Sequence, residues 1–242
     1  MRIYADCYEL ISEIQREVYE MGAIVKPNSM QNKIIKGNDD YITKEIINYS
    51  YCLQTRDKED YLFLADPTSK EWVRAEFGER IDPSGEINPG EAYKLRKDLW
   101  EQFMVKGKQD YSYNERMMPS VALQNIVCEL RANPDSRQLV LSIWDRKEDT
   151  WGIGGHKRVP CSVYYQFLYR QGRLHIIYNQ RSADVVTHFG NDVWLAWELM
   201  RFVAKETRLE PGFLYHNIAS LHSYKKDWVT LKTCIDEIRP RY

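Results

Sequence analysis

Residues 173–207 read RLHIIYNQRSADVVTHFGNDVWLAWELMRFVAKET, and they combine two different patterns of apolar residues. Its first part, up to residue 181, is rich in β-branched, aromatic and other apolar side chains, which predicts a strand. Its last part, 191–207, is apolar on nearly every side, and a helix of that kind lies inside a domain. Asn191 or Asp192 could cap this helix, because both side chains accept hydrogen bonds from a first turn. The stretch therefore predicts a sheet packed against a long buried central helix.

The flanking sequence extends this pattern. VPCSVYYQFLYR (159–170) is a second β-rich run, and Gln171-Gly172 joins it to the first, which predicts a hairpin. Further strands are predicted at 138–144 and 213–222, and helices at 5–21, 39–53, 91–104, 119–131 and 223–236. The polar stretch 54–92 is predicted to be irregular or a variable insertion. No repeat or linker divides the sequence, so residues 1–242 are expected to form a single α+β domain with a mixed sheet.

Composition disfavours several classes of function. The 34 Lys and Arg residues nearly balance the 35 Asp and Glu residues, whereas a protein that coats nucleic acid needs a basic excess, so no direct nucleic-acid binding is expected. The sequence contains no apolar run long enough for a signal peptide or a membrane span, so we expect a soluble, cytoplasmic protein without a membrane partner. The 5 cysteines are scattered without zinc spacing, so neither a disulfide framework nor a metal site is expected.

Cys161 is the first residue with potential chemistry. It follows Pro160 at the start of a predicted strand, where a lone cysteine is usually a packing residue. The predicted hairpin folds Arg181 back towards it, and a nearby guanidinium would favour the reactive thiolate. Other polar residues also have ordinary structural interpretations, namely turn formation for Ser182 and Asp184, a hydrogen-bonded core position for His222, and a solvated helix charge for Glu45.

In combination, the order and spacing of these residues resemble the thymidylate synthase family. That family has a Pro-Cys pair, a Gln-Arg-Ser-x-Asp segment, a base-reading residue at the head of the central helix, and a His-x-Tyr segment. The matching residues here are Pro160-Cys161, Gln166, QRSAD (180–184), Asp192 and His222-Ser223-Tyr224. Looser upstream matches are NPDSR (133–137), YSYNER (111–116) and EIINY (45–49).

The resemblance implies a chemistry and an assembly. It implies a thymidylate synthase-like fold that dimerises through its sheet, a pyrimidine nucleotide monophosphate as substrate, and 5,10-methylenetetrahydrofolate as co-substrate. In the homodimer, Arg137 would reach the other subunit's site. The implied catalytic residues are Cys161 as nucleophile, Glu45 to orient water, Tyr111 to help proton removal, and Asp192 to stabilise charge on the base. The implied binding residues are Arg181, Ser182, Arg137 and Lys26 for the phosphate, His222 and Tyr224 for the sugar, Gln166 and Asn191 for the substrate, and Asp184 for the pterin.

Asp192 narrows the choice of base. Within the family, thymidylate synthases have asparagine at this position, while phage deoxycytidylate hydroxymethylases have aspartate. Uracil presents an N3–H donor beside an O4 acceptor, which an amide matches, whereas cytosine presents an N4 amino donor beside an N3 acceptor. A carboxyl group accepts from the amino group and, when protonated, donates to N3. The resemblance is therefore closest to the hydroxymethylases, and the expected products are 5-hydroxymethyl-dCMP and tetrahydrofolate.

Other functions stay open at this point. They are a dUMP hydroxymethylase, a CMP hydroxymethylase, a pyrimidine methylase of the thymidylate synthase type, and a non-catalytic nucleotide-binding relative. Ser162 stands where the family has a histidine, and Gln138 where it has the second arginine of a phosphate-binding pair. The non-catalytic alternative is disfavoured, because binding alone needs neither Cys161 nor Glu45.

Overall fold

The computed structural model describes residues 1–54, 70–118 and 121–237. In these ranges the strands are β1 Arg2–Tyr4, β2 Ala23–Val25, β3 Ser29–Met30, β4 Lys33–Ile34, β5 Thr43–Leu53, β6 Val140–Ser142, β7 Ser162–Arg170, β8 Arg173–Asp184 and β9 Glu210–Tyr224. The α-helices are α1 Cys7–Met21, α2 Lys70–Arg80, α3 Glu91–Leu95, α4 Lys97–Trp100, α5 Tyr113–Met117, α6 Ala122–Ala132, α7 Glu148–Gly152, α8 Phe189–Thr207 and α9 Trp228–Glu237. Short 3-10 helices lie at Asp39–Tyr41, Glu101–Phe103 and Lys225–Asp227.

One mixed sheet organises these elements. Its strand order is β1-β5-β9-β8-β7-β6, with β2 paired to β5. The β8–β9 and β1–β5 pairs are parallel, and the β5–β9, β7–β8 and β6–β7 pairs are antiparallel. The predicted hairpin is confirmed, with Gln171 and Gly172 both at positive φ in its turn. Because β8 and β9 run in the same direction, their polar ends meet at one edge of the sheet.

The predicted buried helix is confirmed as α8. Of its 19 residues, 12 are buried, and it packs against β8 and β9. These apolar side chains join a contiguous core that extends from Tyr4 in β1 to Leu231 in α9. Fully burying a large aliphatic or aromatic side chain contributes roughly 1.5–3 kcal/mol, so α8 is a major source of stability.

The predicted cap of this helix is wrong. The helix begins at Phe189 and its cap residue is His188, so Asn191 and Asp192 lie within the first turn. The helix starts early because the backbone turns immediately after β8, where the His188 backbone N–H donates to the carbonyl oxygen of Asp184. Asp192 is therefore free to point its carboxyl group away from the helix backbone.

The segment 39–53, predicted to be a helix, is mostly a strand. Only Asp39–Tyr41 is helical, in a 3-10 turn, and β5 then pairs with β1, β2 and β9. Its apolar residues fit helical spacing, but β-branched and aromatic side chains also fit a strand, and the distant pairing partners decide between the two. Glu45 therefore lies on a strand and not on a helix.

The region 54–104 also differs from expectation. Helix α2 lies inside the stretch predicted to be irregular, while residues 55–69 fall outside the described residues. The helix predicted at 91–104 is divided into α3, α4 and a 3-10 turn, because Arg96 leaves the helical region with φ −133° and ψ 35°. The other predicted elements match α1, α6, β6, β9 and α9 with shifted ends. Among the helices in the described ranges, none is both long and apolar enough to cross a membrane.

Candidate active site

A cavity of about 470 Å³ lies at the edge of the sheet where β8 and β9 end and β5 begins. Its other walls include α2, the first turn of α8 and parts of the segments 25–35, 87–93 and 99–114. Its size falls in the range of roughly 300–1,000 Å³ that small-molecule sites occupy. The residues singled out from the sequence that line it are Glu45, Tyr111, Cys161, Arg181, Ser182, Asp184, Asp192, His222 and Tyr224. The fold thus brings together residues from across most of the sequence.

Four of the predicted binding residues do not line this cavity: Lys26, Arg137, Gln166 and Asn191. Gln166, on β7, donates from Nε2 to the carbonyl oxygen of Arg137 at 3.0 Å. The Arg137 side chain is exposed. Asn191 is buried, and its Nδ2 donates to the carbonyl oxygen of Thr187 at 3.3 Å. Asn191 therefore supports the start of α8, and the phosphate contact proposed for Arg137 would need a second subunit.

Cys161 lies in the cavity wall immediately before β7. The Nη2 atom of Arg181 is 3.8 Å from its Sγ atom, so the predicted approach of the two residues is confirmed. The guanidinium is held in place because Nε donates to the carbonyl oxygen of Pro160 at 2.8 Å and Nη2 to that of Val159 at 3.0 Å. Burial raises the pKa of the Cys161 thiol above its usual value, and the charges of Arg181 and Arg158 only partly oppose this effect. The resting residue is therefore a thiol.

Asp192 enters the cavity from the first turn of α8. Gln180 donates from Nε2 to its Oδ2 atom at 2.7 Å. Burial raises the pKa of Asp192 to about 6, although the Gln180 hydrogen bond and the charge of Arg80 lower it in part. Asp192 is therefore mostly ionised at neutral pH and takes up a proton in mildly acidic solution. One side chain can act as an acceptor or as a donor towards a bound base.

The shifted pKa of Asp192 makes folding stability depend on pH. Because its pKa rises from 3.8 to about 6 on folding, the folded protein binds more protons between these values, and stability falls as pH rises through them. We expect Asp192→Asn, which removes this partly buried charge, to increase the free energy of unfolding by about 2–3 kcal/mol at pH 8 and by little at pH 4. Urea unfolding at both pH values measures the gain. The exposed Asp135→Asn control should show no such difference, and an equal gain at both pH values for Asp192→Asn would contradict the prediction.

Three side chains form a row across the sheet beneath the cavity. Glu45 on β5 pairs with His222 on β9, and His222 pairs with Asp184 on β8. Residues at one ladder position project from the same face, so all three side chains point to the cavity. Asp184 Oδ1 also accepts from the backbone N–H groups of Val186 and Thr187, at 3.0 and 3.3 Å. Asp184 therefore stabilises the turn after β8 and also lines the cavity.

Helix α2 contributes charged residues that the sequence analysis missed. Arg80 is buried, and its Nε atom is 2.8 Å from Oε1 of Glu76. The guanidinium carbon of Arg80 lies 3.6 Å from the ring centre of Tyr113. Glu76 and Arg80 both line the cavity. The Glu-x-x-x-Arg spacing is a helical signal, but the neighbouring Asp-Pro and Asn-Pro pairs obscure it in the sequence.

The tyrosines around Cys161 keep their protons. Burial raises the pKa of Tyr111 to about 12, so its hydroxyl is a hydrogen-bond donor at neutral pH. Behind it, the hydroxyl groups of Tyr113 and Ser162 are 3.0 Å apart, and those of Ser162 and Tyr178 are 2.6 Å apart. Ser162, which replaces a family histidine, therefore belongs to a buried chain of hydroxyl groups next to the cavity.

Together these features define an α+β protein whose sheet edge encloses a polar cavity with a partly buried cysteine, an arginine and a carboxyl group on its walls. The chain belongs to the thymidylate synthase family, because the family profile described as Thymidylate synthase matches residues 52–240. The resemblance found in the sequence is confirmed at this level.

Individual relatives agree with this membership. The thymidylate synthase of Mycoplasma pneumoniae is 29% identical over 168 residues, which are 67% of this chain and 56% of that protein. The thymidylate synthase of Rhizorhabdus wittichii is 33% identical over 125 residues, 52% of this chain and 39% of that protein. The chain thus spans about half or less of the length of these relatives. The structure of thermostable thymidylate synthase A from Bacillus subtilis matches with a TM-score of 0.76 at 16% identity, covering 96% of this chain and 84% of that one. The predicted fold is confirmed.

Proposed function

We propose that the protein transfers a one-carbon unit from 5,10-methylenetetrahydrofolate to C5 of dCMP and adds water, which gives 5-hydroxymethyl-dCMP and tetrahydrofolate. The observation that carries this proposal is the partly buried carboxyl group of Asp192, held by Gln180 and facing the same cavity as Cys161. The family supports the one-carbon chemistry, and Asp192 supports the choice of base.

The preference for cytosine follows from hydrogen bonding at Asp192. The ionised carboxylate accepts from the N4 amino group of cytosine, and its protonated form donates to N3. Uracil would place its O4 acceptor against the carboxylate instead. A buried polar mismatch of this kind costs about 1–3 kcal/mol, or roughly 5- to 150-fold in selectivity.

The proposed reaction begins with a bond between the Cys161 sulfur, as thiolate, and C6 of the base. The electron pair of the C5–C6 double bond moves to C5, which attacks the methylene carbon of the folate. C5 then loses its proton to solvent while the carbon–nitrogen bond to the folate breaks and the folate nitrogen takes up a proton, so tetrahydrofolate departs and an exocyclic methylene stays on the base. Water adds its oxygen to this carbon and gives up a proton, the C5–C6 double bond forms again, and the C6–sulfur bond breaks to release the cysteine as thiolate. No hydride moves and no oxidant is needed.

In this proposal, different parts of the cavity wall bind the nucleotide and the folate. Ser182 and Arg181 bind the phosphate, and His222 and Tyr224 contact the sugar. Asp184 faces the pterin, next to an aromatic wall that contains Trp100 and Phe103. Arg158 lies 4.8 and 4.4 Å from the centres of those two rings. Tyr111 keeps its proton and donates a hydrogen bond while C5 is deprotonated, consistent with its raised pKa.

The water that attacks the methylene needs a carboxylate. Besides Asp184 and Asp192, the cavity wall carries Glu45, Glu76 and Glu79, and Glu79 already accepts from the backbone N–H of Ala92 at 2.8 Å. The sequence pointed to Glu45, which stands in the row with His222 and is therefore assigned to the sugar end. Glu76 is ion-paired to Arg80, and its charge is close enough to raise the pKa of Asp192. Because Asp192 reads the base edge next to C5, we assign the water to Glu76.

Glu76 and Glu45 form a matched test. Glu76→Gln is expected to lower hydroxymethyl-dCMP formation by about 10²–10³-fold, since an amide cannot take a proton from water. Glu45→Gln is expected to lower it less than tenfold. Release of tritium from C5 should fall less than product formation in Glu76→Gln, because proton loss precedes water addition. A larger loss of product in Glu45→Gln than in Glu76→Gln would return the role to Glu45.

The proposal is tested by incubating the protein and 5,10-methylenetetrahydrofolate with C5-tritiated dCMP, CMP or dUMP. We expect tritium release from dCMP without dihydrofolate. The relatives are named thymidylate synthases, which makes methylation of a pyrimidine the second candidate function. Methylation oxidises the folate, so formation of dihydrofolate would favour it over hydroxymethylation. No release from any nucleotide would contradict both functions.

We further propose a homodimer formed through the sheet. The face of the sheet that points away from α8 carries half-exposed side chains on neighbouring strands, including Tyr164 on β7 and Asn179 on β8. Arg137 is exposed beside β7 and is positioned by Gln166, which suits an arginine that reaches a partner's cavity. Mixing inactive Arg137→Ala and Cys161→Ser proteins is expected to restore about a quarter of wild-type activity, since one mixed site is intact. If the mixture stays inactive although its subunits are shown to exchange, the result would contradict a site shared between two subunits.

A further inference from the structure

Three consecutive hydrogen bonds, of which the first two are buried, lead from the sheet to Asp192. The hydroxyl of Tyr51, on β5, is 2.9 Å from Nδ1 of His216, on β9. Nε2 of His216 is 3.0 Å from Oε1 of Gln180, on β8, and Nε2 of Gln180 is 2.7 Å from Oδ2 of Asp192. Tyr51 and His216 are fully buried, and Gln180 is nearly so. Neither Tyr51 nor His216 lines the cavity, so a role for them in the reaction must act through Gln180.

The donors and acceptors in this series of hydrogen bonds can be assigned in one way only, with each donor pointing from Tyr51 towards Asp192. A carboxylate only accepts, so the Gln180 amide turns its N–H to Asp192 and its oxygen to His216. His216 must then donate from Nε2, which leaves the lone pair of a neutral imidazole on Nδ1 to accept from the Tyr51 hydroxyl. Burial lowers the pKa of His216 to about 3, so the ring stays neutral and carries a single N–H. With this direction, the Tyr51 hydroxyl, both ring nitrogen atoms of His216 and both polar atoms of the Gln180 amide have a hydrogen-bond partner.

We propose that Tyr51 and His216 are positioning residues that lock the Gln180 amide, hold Asp192 as a hydrogen-bond acceptor, and so set the preference for cytosine over uracil. This inference rests on the proposed function, in which Asp192 reads the base. If the amide of Gln180 turned over, its oxygen would face Asp192, and only the protonated carboxyl group could bond to it. The proton would then lie between Asp192 and Gln180, and the base edge would meet an uncharged and therefore weaker acceptor in place of a carboxylate.

Other groups also act on Asp192. On α2, Arg80 favours the ionised form, while Glu76 opposes it, as does Asp184 on β8. Burial, and to a smaller extent the charge of Asp192, raises the pKa of Tyr51, Tyr113, Tyr165 and Tyr178, on β5, α5, β7 and β8. These groups set the electrostatic background, and the chain through Gln180 contributes the directional hydrogen bond.

Two substitutions remove the polar chain while keeping its packing. His216→Phe keeps a ring in the stack on Tyr178, whose ring centre lies 4.3 Å away, but removes both nitrogen atoms. Tyr51→Phe removes only the terminal hydroxyl. Tyr4→Phe is a matched control, because Tyr4 is buried and packs against Tyr51. The hydroxyl of Tyr4 lies 3.4 Å from that of Tyr49 and takes no part in the hydrogen bonds that lead to Asp192.

The decisive experiment is a carbon-13 NMR titration of the Asp192 carboxyl group in the ligand-free protein. We expect its midpoint to rise by about one pH unit in His216→Phe, by less in Tyr51→Phe, and not in Tyr4→Phe. In binding measurements, the ratio of dCMP to dUMP affinity should fall about tenfold in His216→Phe. An unmoved midpoint in a folded His216→Phe protein would overturn the inference. Equal affinity of the wild-type protein for dCMP and dUMP would instead overturn the base preference in the proposed function, and the titration would still decide the role of the chain.

Discussion

Cys161→Ser is expected to abolish the release of tritium from C5 of dCMP, with a loss of at least about 10³-fold. The serine hydroxyl has nearly the same size, but it is a much weaker nucleophile than a thiolate at neutral pH. The raised pKa of Cys161 means that even the native residue needs Arg181 at 3.8 Å to reach its reactive form. Assays with C5-tritiated dCMP and 5,10-methylenetetrahydrofolate measure the loss directly.

The control for this prediction is Cys128→Ser, because Cys128 is an exposed free cysteine on α6. Its activity should equal that of the wild type. The Cys161→Ser protein should still bind dCMP within about threefold of the wild-type affinity, since the phosphate, sugar and base contacts remain. A Cys161→Ser protein that keeps a tenth of the wild-type tritium release would contradict nucleophilic catalysis by this residue.

Asp192→Asn is expected to reverse the base preference. The amide of Gln180 can still donate to the oxygen of the new side chain, which leaves the new N–H₂ group for the O4 acceptor of uracil. Losing a matched contact with cytosine and gaining one with uracil changes the ratio of kcat/KM for dCMP and dUMP by about 10²-fold or more. Parallel tritium-release assays with the two nucleotides measure this ratio.

Asp192→Glu provides the matched control for the base preference. It keeps the carboxyl group on a longer side chain, so it should lower the rates with both nucleotides and still favour dCMP. An Asp192→Asn protein with a dCMP/dUMP ratio within threefold of the wild type would show that another group reads the base.

Parts of this fold were predictable because their signals are local. The uniform apolar character of α8 and the β-rich runs around Gln171-Gly172 specify a buried helix and a hairpin without knowledge of distant partners. The strand β5 was predicted as a helix, because its identity depends on pairing with β1 and β9, which come from distant parts of the chain. Pairing of that kind leaves little trace in a local pattern of apolar residues.

The candidate site shows the same division. Residues with a family signature, such as Cys161 and His222, are found on the cavity walls. Glu45 also reaches the cavity although its secondary structure was mispredicted, because the register of β5 places it opposite His222. Glu76 and Arg80 were missed, since proline pairs masked the helix that carries them. His216 was missed because a buried histidine acquires its role from partners on β5 and β8, which only the fold brings together.

In the proposed reaction on dCMP, water and not hydride completes the product. The most direct test is to run the reaction with dCMP and 5,10-methylenetetrahydrofolate in ¹⁸O-labelled water and to analyse the nucleotide by mass spectrometry. We predict 5-hydroxymethyl-dCMP that carries the heavy oxygen, together with tetrahydrofolate. A 5-methyl nucleotide accompanied by dihydrofolate would contradict the claim.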